Sequence, residues 1–110
     1  MSDMFCNCLS ITSLNLSNFN TINVKFMSDM FNGCSSLTSL ILSNFNTTKV
    51  IEMTRMFSNC SSLISLNISN FNTNKTKLME NMFQDINKKC KIECLDNKIN
   101  KIIKKDFFIF

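Results

Sequence analysis

The sequence predicts an α/β solenoid, a right-handed coil with a parallel β-sheet on one side and short helices on the other. The first observation is the pentapeptide Ser-Asn-Phe-Asn-Thr, which occurs unchanged at 17–21, 43–47 and 69–73. The second is a Met-Phe pair that recurs every 26 residues, beginning at Met4, Met30, Met56 and Met82. A fixed period of about 20 to 50 residues is typical of solenoids, in which each repeat buries its apolar side against its neighbours.

The repeat extends over residues 1–86, as one half-coil followed by about three coils of 26 residues. The chain begins inside a repeat, because residues 1–5 are identical to residues 27–31. We therefore expect either a fragment of a longer array or a first half-coil that closes the end. Residues 87–110 depart from the pattern and predict a C-terminal cap made of a strand and a helix.

Each coil is predicted to open with a short strand. In the second repeat, Leu37, Leu40 and Leu42 have the spacing L-x-x-L-x-L. The last two alternate with residues of the opposite face, and a period of two is typical of a strand. We predict a strand at 39–43 whose leucines face the core and which stacks in parallel on the strands of neighbouring coils.

The pentapeptide that follows the strand predicts a bend, because Asn and Ser favour tight turns and bond to their own backbone. We expect Phe45 to point inward and to form one ring stack with Phe19 and Phe71. Buried polar groups need hydrogen-bonding partners. We therefore predict that Asn44 or Asn46 satisfies backbone groups at the bend.

A helical stripe follows the bend, since Val50, Met53, Met56 and Phe57 recur at spacings typical of one helix face. The sequence therefore predicts a short helix in each coil, on the side opposite to the sheet.

The C-terminal segment has a pattern of its own. Residues 90–95 predict a final strand, and residues 96–105 predict a helix with Ile99 and Ile102 among its apolar residues. The closing residues 107–110 are apolar and would favour association if they were exposed.

The combined motif L-x-x-L-x-L-S-x-F-N-T and M-x-x-M-F-x-x-C-x-x-L resembles the BspA-like leucine-rich repeat proteins, more closely the repeat surface lipoproteins of mycoplasmas and some protists. The residues that carry the resemblance are Leu37, Leu40, Leu42, Ser43, Phe45, Asn46, Thr47, Val50, Met53, Met56, Phe57 and Cys60 with their equivalents. It implies a leucine-rich-repeat-like coil, a concave parallel sheet, and adhesion or host contact at the cell surface or outside the cell. The N-terminus lacks the basic start and apolar stretch of a signal peptide, so the localisation stays open.

The outward residues of the predicted strands form the candidate partner-binding surface, called here the strand face. Its members are Ser13, Asn15, Ser17, Ser39, Ile41, Ser43, Ser65, Asn67 and Ser69. We predict a non-enzymatic module that binds a protein, such as a host or cell-surface protein, through this concave strand face. The alternative is a structural spacer or a fragment of a longer array with no ligand of its own. The chain would be a monomer or part of such an array.

The six cysteines raise the question of a disulfide or a metal site. Cys8, Cys34 and Cys60 are 26 residues apart and should stack, about 4.8 Å from coil to coil. Neighbours could be bridged only if their Cβ geometry allowed it, and otherwise they form a ladder of buried thiols. Cys90 and Cys94 lack the C-x-x-C spacing of zinc sites and the chain has no His, so we predict no metal.

The composition argues against catalysis. The chain lacks His, the commonest general base, and Gly33 is its only glycine, so that no phosphate-binding loop is present. We predict no catalytic residue and no cofactor. Asp29 and Arg55 occupy equivalent positions and are predicted to pair between coils as a surface ion pair.

The net charge of +4 reflects lysines concentrated in the last quarter of the chain. A basic segment can contact nucleic acid or anionic lipid. No Arg-rich cluster or stacking aromatic accompanies these lysines, as a single-strand binder would require. No stretch reaches the roughly 18 apolar residues of a membrane span. We therefore predict neither nucleic-acid binding nor membrane insertion.

Overall fold

The structure is a computed structural model that describes residues 1–107. It contains three short strands, β1 (Ser39–Ile41), β2 (Ser65–Asn67) and β3 (Lys91–Glu93), and one helix, α1 (Asn97–Phe107). The strands form one parallel sheet in the order β1-β2-β3. A parallel sheet with a helix agrees with the α/β class that the sequence predicts.

The strands pair at a constant offset along the chain. Ser39 lies opposite Ser65, and Ser65 lies opposite Lys91. An isolated bridge from Ser13 to Ser39 extends the same ladder by one position towards the N-terminus. Each partner lies 26 residues further along, so that equivalent residues of the sequence pattern become neighbours in space.

A second ladder of isolated bridges joins Phe26 to Glu52 and Glu52 to Leu78. Each of these three bridged residues precedes a turn, and an equivalent turn lies at the N-terminus. The four turns are here called the first (2–7), second (28–33), third (54–59) and fourth (80–85) turn. Each of the first three turns donates backbone hydrogen bonds to the turn that follows it. The N–H groups of Phe5, Phe31 and Phe57 donate to the carbonyl oxygens of Met30, Met56 and Met82 at 2.9, 3.0 and 3.0 Å.

The short helices predicted opposite to the sheet are wrong, because these turns occupy their place within residues 1–107. The N–H of Phe57 bonds to Met82 in the next turn and not to the residue four positions earlier. Arg55 and Asn59 have φ angles of 54° and 60°, which a right-handed helix does not contain. Apolar spacing alone does not distinguish a helix from turns whose alternate N–H groups bond to a neighbouring segment.

The core lies between the sheet and the turns, and its centre is a stack of aromatic rings. The members are Phe5, Phe31, Phe57 and Phe83. Consecutive ring centroids are 5.6, 5.7 and 5.7 Å apart. The predicted stack of Phe19, Phe45 and Phe71 is thereby corrected, since Phe19 and Phe71 tilt against rings of this other row. Two rows of aligned phenylalanines fit the same sequence period, and only the packing decides which one stacks.

The helix α1 begins at Asn97 because Asp96 caps it, accepting a hydrogen bond from the N–H of Ile99 at 3.0 Å. The same carboxylate accepts from the N–H and hydroxyl of Thr73, and Lys98 Nζ donates to the carbonyl of Thr73 at 3.0 Å. Ile99 is fully buried. The structure thus contains the strand and the helix predicted for the C-terminal segment.

The apolar residues 108–110 at the end of the predicted cap lie outside the described residues. Within residues 1–107, no helix combines the length and the apolar character needed to cross a bilayer. The division of the chain at residue 86 stays a prediction.

Candidate binding face

The sheet register arranges the predicted strand face in rows. Ser13, Ser39 and Ser65 form one row, because the first is bridged to the second and the second pairs with the third. Ile41 lies opposite Asn67 in the next row. Ser39 and Ser65 are exposed, whereas Asn67 is half-buried. The apolar Ile41 is 59% exposed and therefore stands out on a polar surface.

Asparagine side chains fix the end of the strand face. Asn44 Nδ2 donates to the carbonyl oxygens of Leu16 and Ser17 at 3.0 and 3.3 Å. Asn70 Nδ2 donates to the carbonyl of Ser43 in the same way. The prediction that Asn44 satisfies backbone groups at the bend is confirmed. These contacts hold the Ser17 and Ser43 segments in adjacent positions.

Two other asparagines of the strand face use their oxygen atoms locally. Asn15 Oδ1 accepts from the N–H and the hydroxyl of Ser17 at 3.1 and 2.7 Å. Asn67 Oδ1 accepts from the N–H of Ser69 at 3.0 Å. Neither Nδ2 atom has a hydrogen-bonding partner within residues 1–107. Both amide groups therefore remain available as donors on the surface.

A shallow depression of about 340 Å³ lies on this face between residues 13–17 and residues 39–44. Six of the nine predicted residues line it, together with Leu14, Leu16 and Asn44. The six are Ser13, Asn15, Ser17, Ser39, Ile41 and Ser43. Ser65, Asn67 and Ser69 lie outside it. The structure therefore brings two thirds of the predicted residues together around one concave site beside Ile41.

The strand face continues onto β3, which the sequence analysis missed. Lys91 lies opposite Ser65 and Glu93 lies opposite Asn67, and both are exposed. Leu95 follows two positions later and is 80% exposed. These three residues lie 26 positions after Ser65, Asn67 and Ser69, so the sequence period would have identified them. The nine residues together with Lys91, Glu93 and Leu95 are called the extended strand face.

The cysteine row is part of the packing. The thiols of Cys34 and Cys60 donate to the carbonyl oxygens of Phe5 and Phe31 at 3.1 and 3.2 Å. Burial raises the pKa of Cys34 to about 11 and the pKa of Cys60 to about 12. Thiols with such pKa values are protonated at neutral pH and are poor nucleophiles. All six cysteines are free thiols, and Cys34 and Cys60 are buried. This agrees with the predicted ladder of buried thiols.

Charged groups are sparse on the turns. Arg55 donates to Asp29 through Nε and Nη2 at 2.9 and 3.2 Å, so the predicted ion pair is confirmed. This hydrogen bond lowers the pKa of Asp29 below its ordinary value. Within residues 1–107, no group of three or more His, Cys, Asp or Glu side chains is placed to hold a metal ion.

Comparison with known protein families gives a match over most of the chain. A family model described as "Mycoplasma protein of unknown function, DUF285" matches residues 1–104. The match covers all three strands and most of α1, so it includes both the repeated part and the C-terminal segment. No curated protein and no solved structure matches the chain.

Proposed function

Because the chain belongs to the DUF285 family, whose function is unknown, we propose a function from its geometry: it is a non-enzymatic module that binds a protein through the extended strand face. We further propose that it is a short solenoid of 26-residue coils, akin to BspA-like leucine-rich repeats. The constant offset of the strand pairs and of the hydrogen bonds between turns supports this reading.

The observation that carries the proposal is the alignment of outward side chains in rows along a depression. The depression holds an apolar side chain of the partner against Ile41, an exposed apolar residue of β1. The Ser39 hydroxyl and the free amide group of Asn15 supply hydrogen bonds at its wall. Ser65 and Asn67 supply further ones from β2, opposite Ser39 and Ile41. An apolar contact within a polar rim is the usual anatomy of a protein interface.

We also propose that the partner is a host or cell-surface protein. This step is supported by the resemblance of the repeat to surface proteins and by the uncharged character of the strand face. All nine of its residues are Ser, Asn or Ile, and the charged Lys91 and Glu93 lie only on its continuation along β3. Recognition by such a face depends on shape and hydrogen bonds and is little affected by salt, because screening acts on charges.

The test is binding of the labelled chain to cultured animal cells, measured by flow cytometry before and after the cells are treated with trypsin. We expect trypsin to abolish binding, and Ile41→Asp or Ser39→Arg to weaken it about tenfold or more, as for a central contact residue. The matched control is Ile22→Asp, since Ile22 is 45% exposed but lies away from the strand face.

Equal binding of Ile41→Asp and Ile22→Asp would overturn the proposed face. Binding that disappears between about 50 and about 300 mM salt would instead point to the lysines of the C-terminal segment. An absence of binding by the folded wild-type chain would favour the alternative of a structural spacer without a ligand.

A further inference from the structure

The second turn contains the only Asn-Gly pair of the chain, Asn32 followed by Gly33. An asparagine before glycine is prone to deamidation, because glycine has no side chain to hinder attack by its own backbone nitrogen. In that reaction, a bond forms between the Gly33 nitrogen and Cγ of Asn32, the bond from Cγ to Nδ2 breaks, and ammonia leaves with the proton of the Gly33 N–H. Water then opens the resulting succinimide ring and leaves an aspartate or an isoaspartate at position 32.

The attacking nitrogen of this reaction is engaged in the folded chain. The N–H of Gly33 donates to the carbonyl oxygen of Ser58, in the third turn, at 3.0 Å. Gly33 is also buried. Because the nitrogen must lose its proton in order to attack, a buried hydrogen bond that holds this proton between two turns opposes the reaction.

The amide group under attack is held on both sides. Asn32 Nδ2 donates to Asp29 Oδ1 at 2.9 Å, and Asn32 Oδ1 accepts from Nδ2 of Asn59 at 3.0 Å. Asp29 in turn accepts from Arg55 at 2.9 and 3.2 Å. Arg55 and Asn59 belong to the third turn, as Ser58 does. The stacking of the second turn on the third therefore fixes both reacting groups.

We propose that Asn32 is a latent deamidation site, which the third turn shields while the two turns are stacked and which reacts when they separate. A local opening is sufficient, because single turns can open without global unfolding. The site lies on the turns, across the core from the sheet, so the proposal goes beyond binding at the extended strand face.

The product weakens the stack permanently. An aspartate at position 32 removes the donor that Asn32 supplies to Asp29 and places a second carboxylate beside it, and like charges repel. An isoaspartate also adds a methylene group to the backbone, which displaces the Gly33 N–H from the Ser58 carbonyl. Deamidation thus converts a reversible opening of the turn into an irreversible one.

The first test is peptide mapping by mass spectrometry of the full chain, incubated in native buffer and in urea that unfolds it. A peptide of residues 30–35, incubated in both solutions, corrects for any effect of urea on the chemistry. We expect Asn32 to deamidate at least about tenfold more slowly in the native chain, because only molecules with an open turn react. Equal corrected rates in the two solutions would overturn the proposal.

A variant without the side-chain clamp separates its role from that of the fold. Asp29→Gly with Asn59→Gly removes both partners of the Asn32 amide, and glycine tolerates the positive φ at each position. The matched control is Asn81→Gly with Asp85→Gly, at the equivalent positive-φ positions of the fourth turn. We expect the first variant to deamidate Asn32 about threefold or more faster than wild type, and the control to match wild type. A folded first variant that reacts at the wild-type rate would refute the clamp.

If the first variant loses its cooperative melt, amide hydrogen exchange of the wild-type chain decides. Gly33 is the only glycine, so its amide signal is readily assigned by nuclear magnetic resonance. We expect this amide to exchange at least about tenfold more slowly than in the peptide of residues 30–35. Exchange at the rate of the peptide would show that no shield exists.

The effect of the product is measured with Asn32→Asp in a urea titration. We expect its unfolding midpoint to lie below that of wild type, because of the charge placed beside Asp29. Asn18→Asp, a change of the same chemistry at an exposed position, is the control and should leave the midpoint unchanged. An Asn32→Asp chain as stable as wild type would contradict the permanent weakening of the stack.

Discussion

At the residue scale, the turns depend on side chains that tolerate left-handed backbone. Each turn contains two residues of positive φ, four positions apart. The pairs are Asp3 and Asn7, Asp29 and Gly33, Arg55 and Asn59, and Asn81 and Asp85. Six of these eight residues are Asn or Asp, which adopt this conformation more readily than other side chains. The Asn and Asp residues at these positions therefore have a structural role in the turns.

Gly33 gives the sharpest residue-scale prediction. Its φ is 83°, and a Cβ atom there would collide with the side chain of Asn7. We expect Gly33→Val to lower the free energy of unfolding by about 2–3 kcal/mol, because a β-branched residue is strained at positive φ. Gly33→Asn should cost less, since Asn59 occupies the equivalent place. Urea titration measures both, and equal losses would contradict the account.

The ion pair between Asp29 and Arg55 predicts a pH dependence. The pKa of Asp29 is lowered, chiefly by its hydrogen bond with Arg55, so its contribution is present above the ordinary Asp pKa. It is lost as the pH falls from that value through the lowered one. We expect Asp29→Asn to be less stable than wild type at neutral pH and the difference to vanish in acid. Thermal melts across this range test it, and a difference that persists in acid would contradict it.

At the element scale, the sequence pattern predicted the strands and the C-terminal helix, because their apolar residues recur with the period of a strand or of a helix. Leu40 and Leu66 mark β1 and β2 because their neighbours alternate outward. The helix α1 was predictable because Ile99 and Ile102 follow a helical period behind the cap Asp96. The turns were not predictable, since their bonds run to residues about one repeat away, and periodicity along the chain does not report bonds between distant segments.

Only part of the candidate binding face could be predicted from the sequence. Alternation along the strands identified the outward rows, including Ile41. It did not identify Lys91, Glu93 and Leu95, because the pentapeptide that marks each bend is absent after β3. The depression could not be predicted from the sequence, since its walls come from two distant segments, 13–17 and 39–44, whose separation only the folded chain defines.

The ring stack gives the element-scale prediction. Phe57 is fully buried between Phe31 and Phe83, whereas Phe5 is half-buried at the N-terminal end of the ring stack. We expect Phe57→Ala to cost about 3–5 kcal/mol of unfolding free energy, because it leaves a large cavity. Phe5→Ala should cost clearly less. Chemical denaturation of the two variants measures this, and equal losses would contradict the difference in burial between Phe5 and Phe57.

At the scale of the whole molecule, charge and apolar exposure are separated. Residues 87–110 contain seven lysines and three acidic residues, which accounts for the whole net charge of +4. Residues 1–86 are therefore neutral. The extended strand face lies mainly in the neutral part, and the basic helix covers one end of the core. The proposed binding face is therefore separated from most of the net charge of the chain.

The proposed function depends on the stacking of equivalent segments at a constant offset, because this offset aligns the outward side chains in rows. One NOESY spectrum of the labelled chain tests it. We expect contacts between residues about one repeat apart, such as the amide of Phe57 with Met82 and the ring of Phe57 with that of Phe31. A spectrum with only contacts at three and four residues along 47–60, as in an isolated helix, would contradict it.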